Sequence, residues 1–284
     1  MLVADDNRVN RRVVQMMLER AGHAVTTVQD GEQALDALAA ESFDAVLMDL
    51  NMPVLDGLAA TKLFRFGELG QPHTAIIGLT ADVTGEVQRL CREAGMDACL
   101  SKPIQPRLLL DALDAAVSMP NQDTPVPASG VTAIAAHPRF RSAAEPAVDG
   151  AVLAKLEALG GVAFLNELIT DFLADAGQLH RDLAEACAAG DVAAVLAKAH
   201  ALFSAAGNMG AEPLRQICRD LQGLAPQELT RAGRRGLPEL GAELNRIASA
   251  LKAWSGAQRP EGGPATTEVH SFPSQAPIRR PNAR

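Results

Sequence analysis

Apolar residues along the first 118 positions fall into two alternating patterns. Short apolar runs occur at Met1–Ala4, His23–Val28, Ala45–Met48, Ala75–Leu79 and Ala98–Leu100. Between them, apolar positions recur at helical spacing near 8–21, 31–40, 57–66, 84–94 and 105–117. Short apolar strands alternating with amphipathic helices predict a doubly wound α/β fold, a five-stranded parallel sheet covered on both faces. Ligands of such sheets bind at the C-terminal ends of the strands.

The pattern changes after residue 118. Residues 119–147 hold five prolines and little periodicity. They read as a flexible linker with a root-mean-square reach of roughly 27–32 Å. Residues 148–255 are rich in Ala and Leu at helical spacing, with no strand signal. A long amphipathic pattern runs from Val162 to Ala188, and Gly190-Asp191 then supplies a stop and an N-cap. Further helices are predicted over Val192–Ala206, 211–223 and 237–254, giving an all-α antiparallel helix bundle. Residues 256–284, with Pro, polar residues and four arginines, read as a disordered tail.

Composition narrows the function. With 284 residues, 48% hydrophobic and 21% charged, the chain can build two globular domains. Its net charge of -8 argues against a nucleic-acid partner, which requires a basic face. The cysteines Cys91, Cys99, Cys187 and Cys218 show neither CxxC nor zinc spacing and read as small buried thiols of a reducing cytosol. No apolar run approaches the roughly 18–20 residues of a membrane span, and no signal peptide precedes the first strand. A cytoplasmic protein without membrane insertion is expected. Met1 falls almost directly on a strand, as in a fragment cut from a longer protein.

The predicted strand ends carry the chemistry. Strand one ends at Asp5-Asp6, strand three at Asp49, strand four at Thr80 and strand five at Lys102. By the strand-end rule these converge on one edge of the sheet. Three crowded carboxylates repel one another and require a divalent cation to stay ionised. Mg2+ suits hard oxygen ligands and keeps places for phosphate oxygens. A carboxylate beside it can attack a phosphoryl donor and form an acyl phosphate. The Lys102 ammonium would neutralise charge and the Thr80 hydroxyl would donate to a phosphoryl oxygen. Lys102-Pro103 fits a fixed turn with a cis bond that aims the lysine inward.

The segments LVADDN (2–7), LMDLNMPVLDG (47–57), LTAD (79–82) and LSKPI (100–104) resemble the receiver domain of two-component response regulators, over residues 1–118. The resemblance implies a flavodoxin-like receiver with Asp49 as phosphoacceptor. Asp6, Asp49 and the Asn51 carbonyl would bind Mg2+, Asp5 would support them, and Thr80 and Lys102 would contact the phosphoryl group. Receivers usually place an aromatic residue where this chain has Cys99, so the usual coupling of the Thr to an aromatic rotamer is missing here.

In the second half, the segment AHALFSAAGNMGA (199–211) places His200 beside a helical stripe of Val195, Ala199, Leu202 and Ala206. This puts His200 near the solvent boundary as an exposed imidazole, and a lone histidine on such a flank is usually a bystander. The segment, however, resembles the histidine phosphotransfer domain, as do LEALGG (156–161) and FLNELITDFLADA (164–176). That resemblance, over 148–255, implies that His200 carries a phosphoryl group. Phe203 stands where that family has Lys and Ser204 where it has Gly; Lys198 points elsewhere. His180 could line the site, whereas His23, His73, His137 and His270 have no supporting context.

Receiver followed by phosphotransfer domain is the C-terminal order of hybrid sensor histidine kinases, and residues 60–82 are similar to those of diffusible-signal-factor quorum sensing. No P-loop, GxGxxG, HExxH, nucleophile elbow or helix-turn-helix occurs. The chain therefore reads as a phosphorelay carrier rather than an enzyme, with histidine kinases and receiver domains as partners. Two other readings stay open. One is a stand-alone phosphate sink or docking module; the other is a metal-dependent phosphatase, weakened by Asn51 where a second carboxylate would act.

Overall fold

The computed structural model describes residues 1–68, 72–81, 83–118 and 146–256. The first half holds strands β1 (Leu2–Ala4), β2 (Thr26–Val28), β3 (Ala45–Asp49), β4 (Ala75–Thr80) and β5 (Ala98–Ser101). Helices α1 (Arg8–Arg20), α2 (Gly31–Ala40), α3 (Gly57–Gly67), α4 (Gly85–Ala94) and α5 (Pro106–Ser118) follow them in alternation. All strand pairs are parallel, in the order β2-β1-β3-β4-β5. The order reverses between β1 and β3, so a crevice opens where their C-terminal ends diverge.

The period of two along each strand divides the core. Val3, Leu47, Ile77 and Leu79 face α1 and α5, whereas Leu2, Val46, Met48 and Ile76 face α2, α3 and α4. Strand β2 is an edge with two exposed threonines, shorter than the His23–Val28 run suggests. The chain bends sharply after β3: Gly57 opens α3 with its N–H on the Leu50 carbonyl at 3.1 Å. A Cβ at Gly57 would lie 2.1 Å from the Asp49 carbonyl oxygen, so only glycine lets α3 start this close beneath Asp49.

The second half is helical throughout: α6 (Gly150–Ala189), α7 (Val192–Asn208), α8 (Glu212–Gln222) and α9 (Pro226–Gly256). Gly161, at φ 80°, breaks α6 into a short leading helix and the long one expected from Val162. Asp191 caps α7, accepting from Ala194 N–H at 3.0 Å. Connections of two or three residues fold consecutive helices back on one another, as in an antiparallel bundle. The predicted stripe Val195, Ala199, Leu202 and Ala206 is fully buried. Helix α9 starts at Pro226, well before the expected residue 237, and continues through Pro238. The tail from 257 and residues 119–145 of the expected linker lie outside the described residues. Among the described residues, no helix is long and apolar enough to cross a membrane.

The two halves share a core. Helix α1 packs Val9, Val13 and Leu18 toward the sheet, and the same hydrophobic cluster continues into Phe164, Leu165 and Leu168 of α6. Replacing Gly57 with Ala should cost about 1–3 kcal/mol, the usual penalty of overpacking. Urea denaturation checks this; an unchanged midpoint would contradict the close approach of α3 to Asp49.

Candidate functional site

The crevice collects the strand-end residues. Asp5 is fully buried and saturated by its own chain: Oδ1 accepts from Asn7 N–H at 2.9 Å and Asn10 Nδ2 at 3.2 Å, and Oδ2 from Lys102 Nζ at 2.7 Å. The same ammonium lies 2.7 Å from Asp49 Oδ2, and Asp49 Oδ1 accepts from Asn51 N–H at 3.3 Å. Lys102 reaches this position from a cis Lys102-Pro103 bond, with its N–H on the Thr80 carbonyl at 2.7 Å. Thr80 is buried beside it, and Asp6 is exposed at the mouth.

The charge does not balance. Ligand oxygens of Asp5, Asp6 and Asp49 lie within 4.8 Å of one another, and two cations face them, the Lys102 ammonium and, at Asp5 and Asp6, the Arg11 guanidinium. Burial pushes Asp49 up to about 7, with Asp5 and Asp6 adding repulsion that Lys102 only partly offsets. Although Asp6 keeps solvent contact, the protein around its carboxylate displaces part of its water and, with the Asp5 charge, raises it to about 6. Burial would lower the Lys102 ammonium, yet Asp5 and Asp49 hold it above its ordinary value. A hard divalent cation at Asp6 and Asp49 would relieve this surplus, and the oxygen-only donor set suits Mg2+.

The bundle presents His200 to this crevice. The Nε2 atom of His200 is 3.4 Å from the side-chain amide of Asn51, two residues beyond Asp49. Asp6, Asn51, Asp56, Lys198 and His200 line a common cleft of about 550 Å³. Burial, followed by the Lys102 charge, lowers the His200 pKa, which favours the neutral imidazole. His200 is thus half-buried at a domain boundary, not the open surface group expected from its helix position. His180 does not line the site: its Nε2 lies 3.2 Å from the Leu237 carbonyl, against α9. Lys198 lines the cleft but its ammonium is engaged by Asp182 at 3.1 Å.

Residues 1–114 match the family described as response regulator receiver domain, and residues 167–254 match the Hpt domain. The chain is a receiver domain followed by an Hpt domain. The sensory/regulatory protein RpfC of Xanthomonas campestris pv. campestris is 37% identical over 256 residues, covering 89% of this chain and 34% of its own length. The sensor histidine kinase RcsC of Escherichia coli K12 is 42% identical over 103 residues, 36% of this chain and 10% of its own. The chain thus spans about a third or less of these relatives. Among solved structures, the receiver domain of a Pseudomonas aeruginosa PAO1 sensor histidine kinase, with magnesium coordinated in its active site cleft, is 36% identical. It covers 42% of this chain and 96% of that chain, with a TM-score of 0.38.

What sequence reading missed is the set of contacts that seats the Hpt domain on the receiver. Arg12 of α1 bonds Asp171 at 2.8 Å and also pairs with Glu167. Arg8 reaches Asp171 at 3.2 Å. Asn208 donates to Asn10 at 2.6 Å, and Arg20 to the Ala158 carbonyl at 2.7 Å. The signal was present as two matched i, i+4 pairs, Arg8/Arg12 and Glu167/Asp171, but each alone looks like a solvated helix face. Asp171 is 8% exposed, so its pair with Arg12 is not an ordinary surface contact. A double-mutant cycle on Arg12→Ala and Asp171→Ala should give a coupling of roughly 1–2 kcal/mol in chemical unfolding; additive effects would contradict the contact.

Proposed function

We propose that residues 1–118 and 148–255 are two phosphoryl carriers of one phosphorelay chain, joined by residues 119–147 and followed by the tail 256–284. Asp49 is the phosphoacceptor of the first and His200 the carrier of the second. The observation that supports this most is the position of His200 Nε2 beside Asn51, at the mouth of the crevice that holds Asp49.

Each residue has a chemical task. Asp6, Asp49 and the Asn51 carbonyl would hold Mg2+, with Asp5 in support through Lys102. The cation supplies positive charge that keeps the carboxylates ionised and screens phosphoryl oxygens. An Asp49 oxygen attacks the phosphorus of a histidine kinase's phosphohistidine. A P–O bond forms, the donor's P–N bond breaks, and its imidazole leaves with the electron pair. Lys102 and Thr80 then hold the phosphoryl oxygens. In the onward step the Nε2 lone pair of neutral His200 attacks the same phosphorus, and Asp49 leaves as a carboxylate. The Nδ1 proton of the imidazole is lost to solvent. The reverse sequence uses the same contacts, so the chain can pass the group either way.

In this reading the chain is a carrier and not an enzyme, acts in the cytoplasm, and has histidine kinases and other receiver domains as partners. The alternative of a phosphate sink leaves the seat of His200 at the acidic crevice without a purpose.

Incubation with a small phosphodonor and Mg2+ tests the reading. Acid- and base-labile phosphate should distinguish label on Asp49 from label on His200. Wild type should carry both, and Asp49→Asn should carry neither. His200→Gln should retain label on Asp49 alone. Removing Mg2+ with a chelator should abolish labelling. Label on His200 in Asp49→Asn, or none in wild type, would refute the relay.

A further inference from the structure

Cys99 is the departure from the receiver pattern that phosphoryl chemistry leaves unused, and the fold brings Cys91 against it. Helix α4 stops at Gly95, whose left-handed backbone (φ 91°) lets Met96 N–H reach the Cys91 carbonyl at 3.0 Å. Strand β5 starts only three residues later, at Ala98. The period of two along β5 then sends Cys99 to the α2–α4 side of the sheet, with Leu100 on the opposite side. Gly78 is the partner of Cys99 across the β4–β5 ladder. A Cβ at Gly78 would stand 2.7 Å from Met96 Sδ and 3.4 Å from Cys91 Sγ, so sulfur fills the space this glycine leaves.

The two thiols do more than fill space. Their sulfurs lie 3.2 Å apart, inside the about 3.5–4.0 Å at which apolar atoms rest against each other. The hydrogen bond with Cys99 holds the Cys91 thiol below its ordinary value, and the same contact, with burial, raises Cys99. Thiolate is the nucleophilic form of cysteine, and an oxidised sulfur here has a second thiol beside it to resolve it. Both cysteines are free and buried, at 2% and 7% exposure. Access comes through α4, which buries Cys91 and Ala94 and leaves its other residues partly or wholly exposed. An element held by so few buried side chains opens locally at low cost. Closing the gap to the about 2.05 Å of an S–S bond then takes a shift of roughly 1 Å.

We infer that Cys91 and Cys99 form an oxidation site for hydrogen peroxide, converting reversibly into a disulfide that tethers α4 to β5. The Cys91 sulfur attacks one peroxide oxygen: an S–O bond forms, the O–O bond breaks, and the departing hydroxide takes the thiol proton as water. The Cys99 sulfur attacks the resulting sulfenic acid, S–S replaces S–O, and the second hydroxide leaves with the Cys99 proton. Two thiols are oxidised and one peroxide is reduced to two waters. In reducing compartments such disulfides are transient and redox-sensing rather than structural. The tether fixes α4 to the strand that runs on to Lys102, at the position where receivers ordinarily hold an aromatic residue. The site is independent of phosphoryl transfer, so it stands or falls apart from the relay.

The full chain, reduced and then exposed to hydrogen peroxide, tests this by proteolysis without reductant and mass spectrometry. Trypsin cleavage after Arg92 separates the two cysteines, so fragments that stay joined report the bond. They should be joined, lighter by two hydrogens than the separate pair, and released by dithiothreitol. Cys99→Ala should yield no link, only oxygen added at Cys91. In the linked protein, α4 amides should exchange with deuterium roughly tenfold more slowly, because local opening is suppressed. Unjoined fragments after peroxide treatment, or Cys91 and Cys99 linked instead to Cys187, Cys218 or a second chain, would overturn the site. Amides of α4 that exchange at the reduced protein's rate in the linked form would overturn the tether.

Discussion

The Lys102 ammonium, held between Asp5 and Asp49, is the contact on which the receiver half depends. It joins the ends of β1, β3 and β5 in a nearly dry crevice, 2.7 Å from each carboxylate. Without it, two buried carboxylates would face each other uncompensated, a cost that ordinarily prevents folding or forces protonation. With it, the three carboxylates Asp5, Asp6 and Asp49 still outnumber the nearby cations Lys102 and Arg11. The surplus is eased where Asp6 opens to solvent, a place that a cation could enter. The contact that holds the strand ends together thus also leaves them with surplus negative charge.

Helix α1 connects that chemistry to the second domain. Its first turn is tied to Asp5 through Asn7 and Asn10, one side packs on the sheet, and the arginines at 8 and 12 engage Asp171 and Glu167. A shift of α1 would therefore disturb the acidic crevice and the Hpt seat together.

Much of this was legible in the sequence. Strands and helices of the receiver follow from apolar runs and periodicity, and Asp5, Asp6, Asp49, Thr80 and Lys102 from their places at strand ends. His200 was found by local resemblance and by its stripe of small residues. The rest depended on contacts between distant segments. The exposure expected of His200 was wrong because periodicity describes one helix and not what packs on it. Arg215 of α8 stacks on Phe203 of α7, 4.5 Å from the ring centroid, and nothing in its local sequence links the two. The early start of α9 at Pro226 was hidden by Pro238, which reads as a boundary and is carried inside the helix.

The central claim is that Asp49 and His200 exchange a phosphoryl group within one chain, across the interface that α1 holds together. The most direct test is the rate of transfer from Asp49 to His200 as protein concentration is varied, with Asp49→Asn and His200→Gln chains mixed as a control. The account predicts a first-order rate independent of concentration, and transfer in the mixture slower by orders of magnitude at micromolar protein, below the roughly millimolar effective concentration of a tether. A rate that rises in proportion to concentration, or a mixture as fast as wild type, would contradict it.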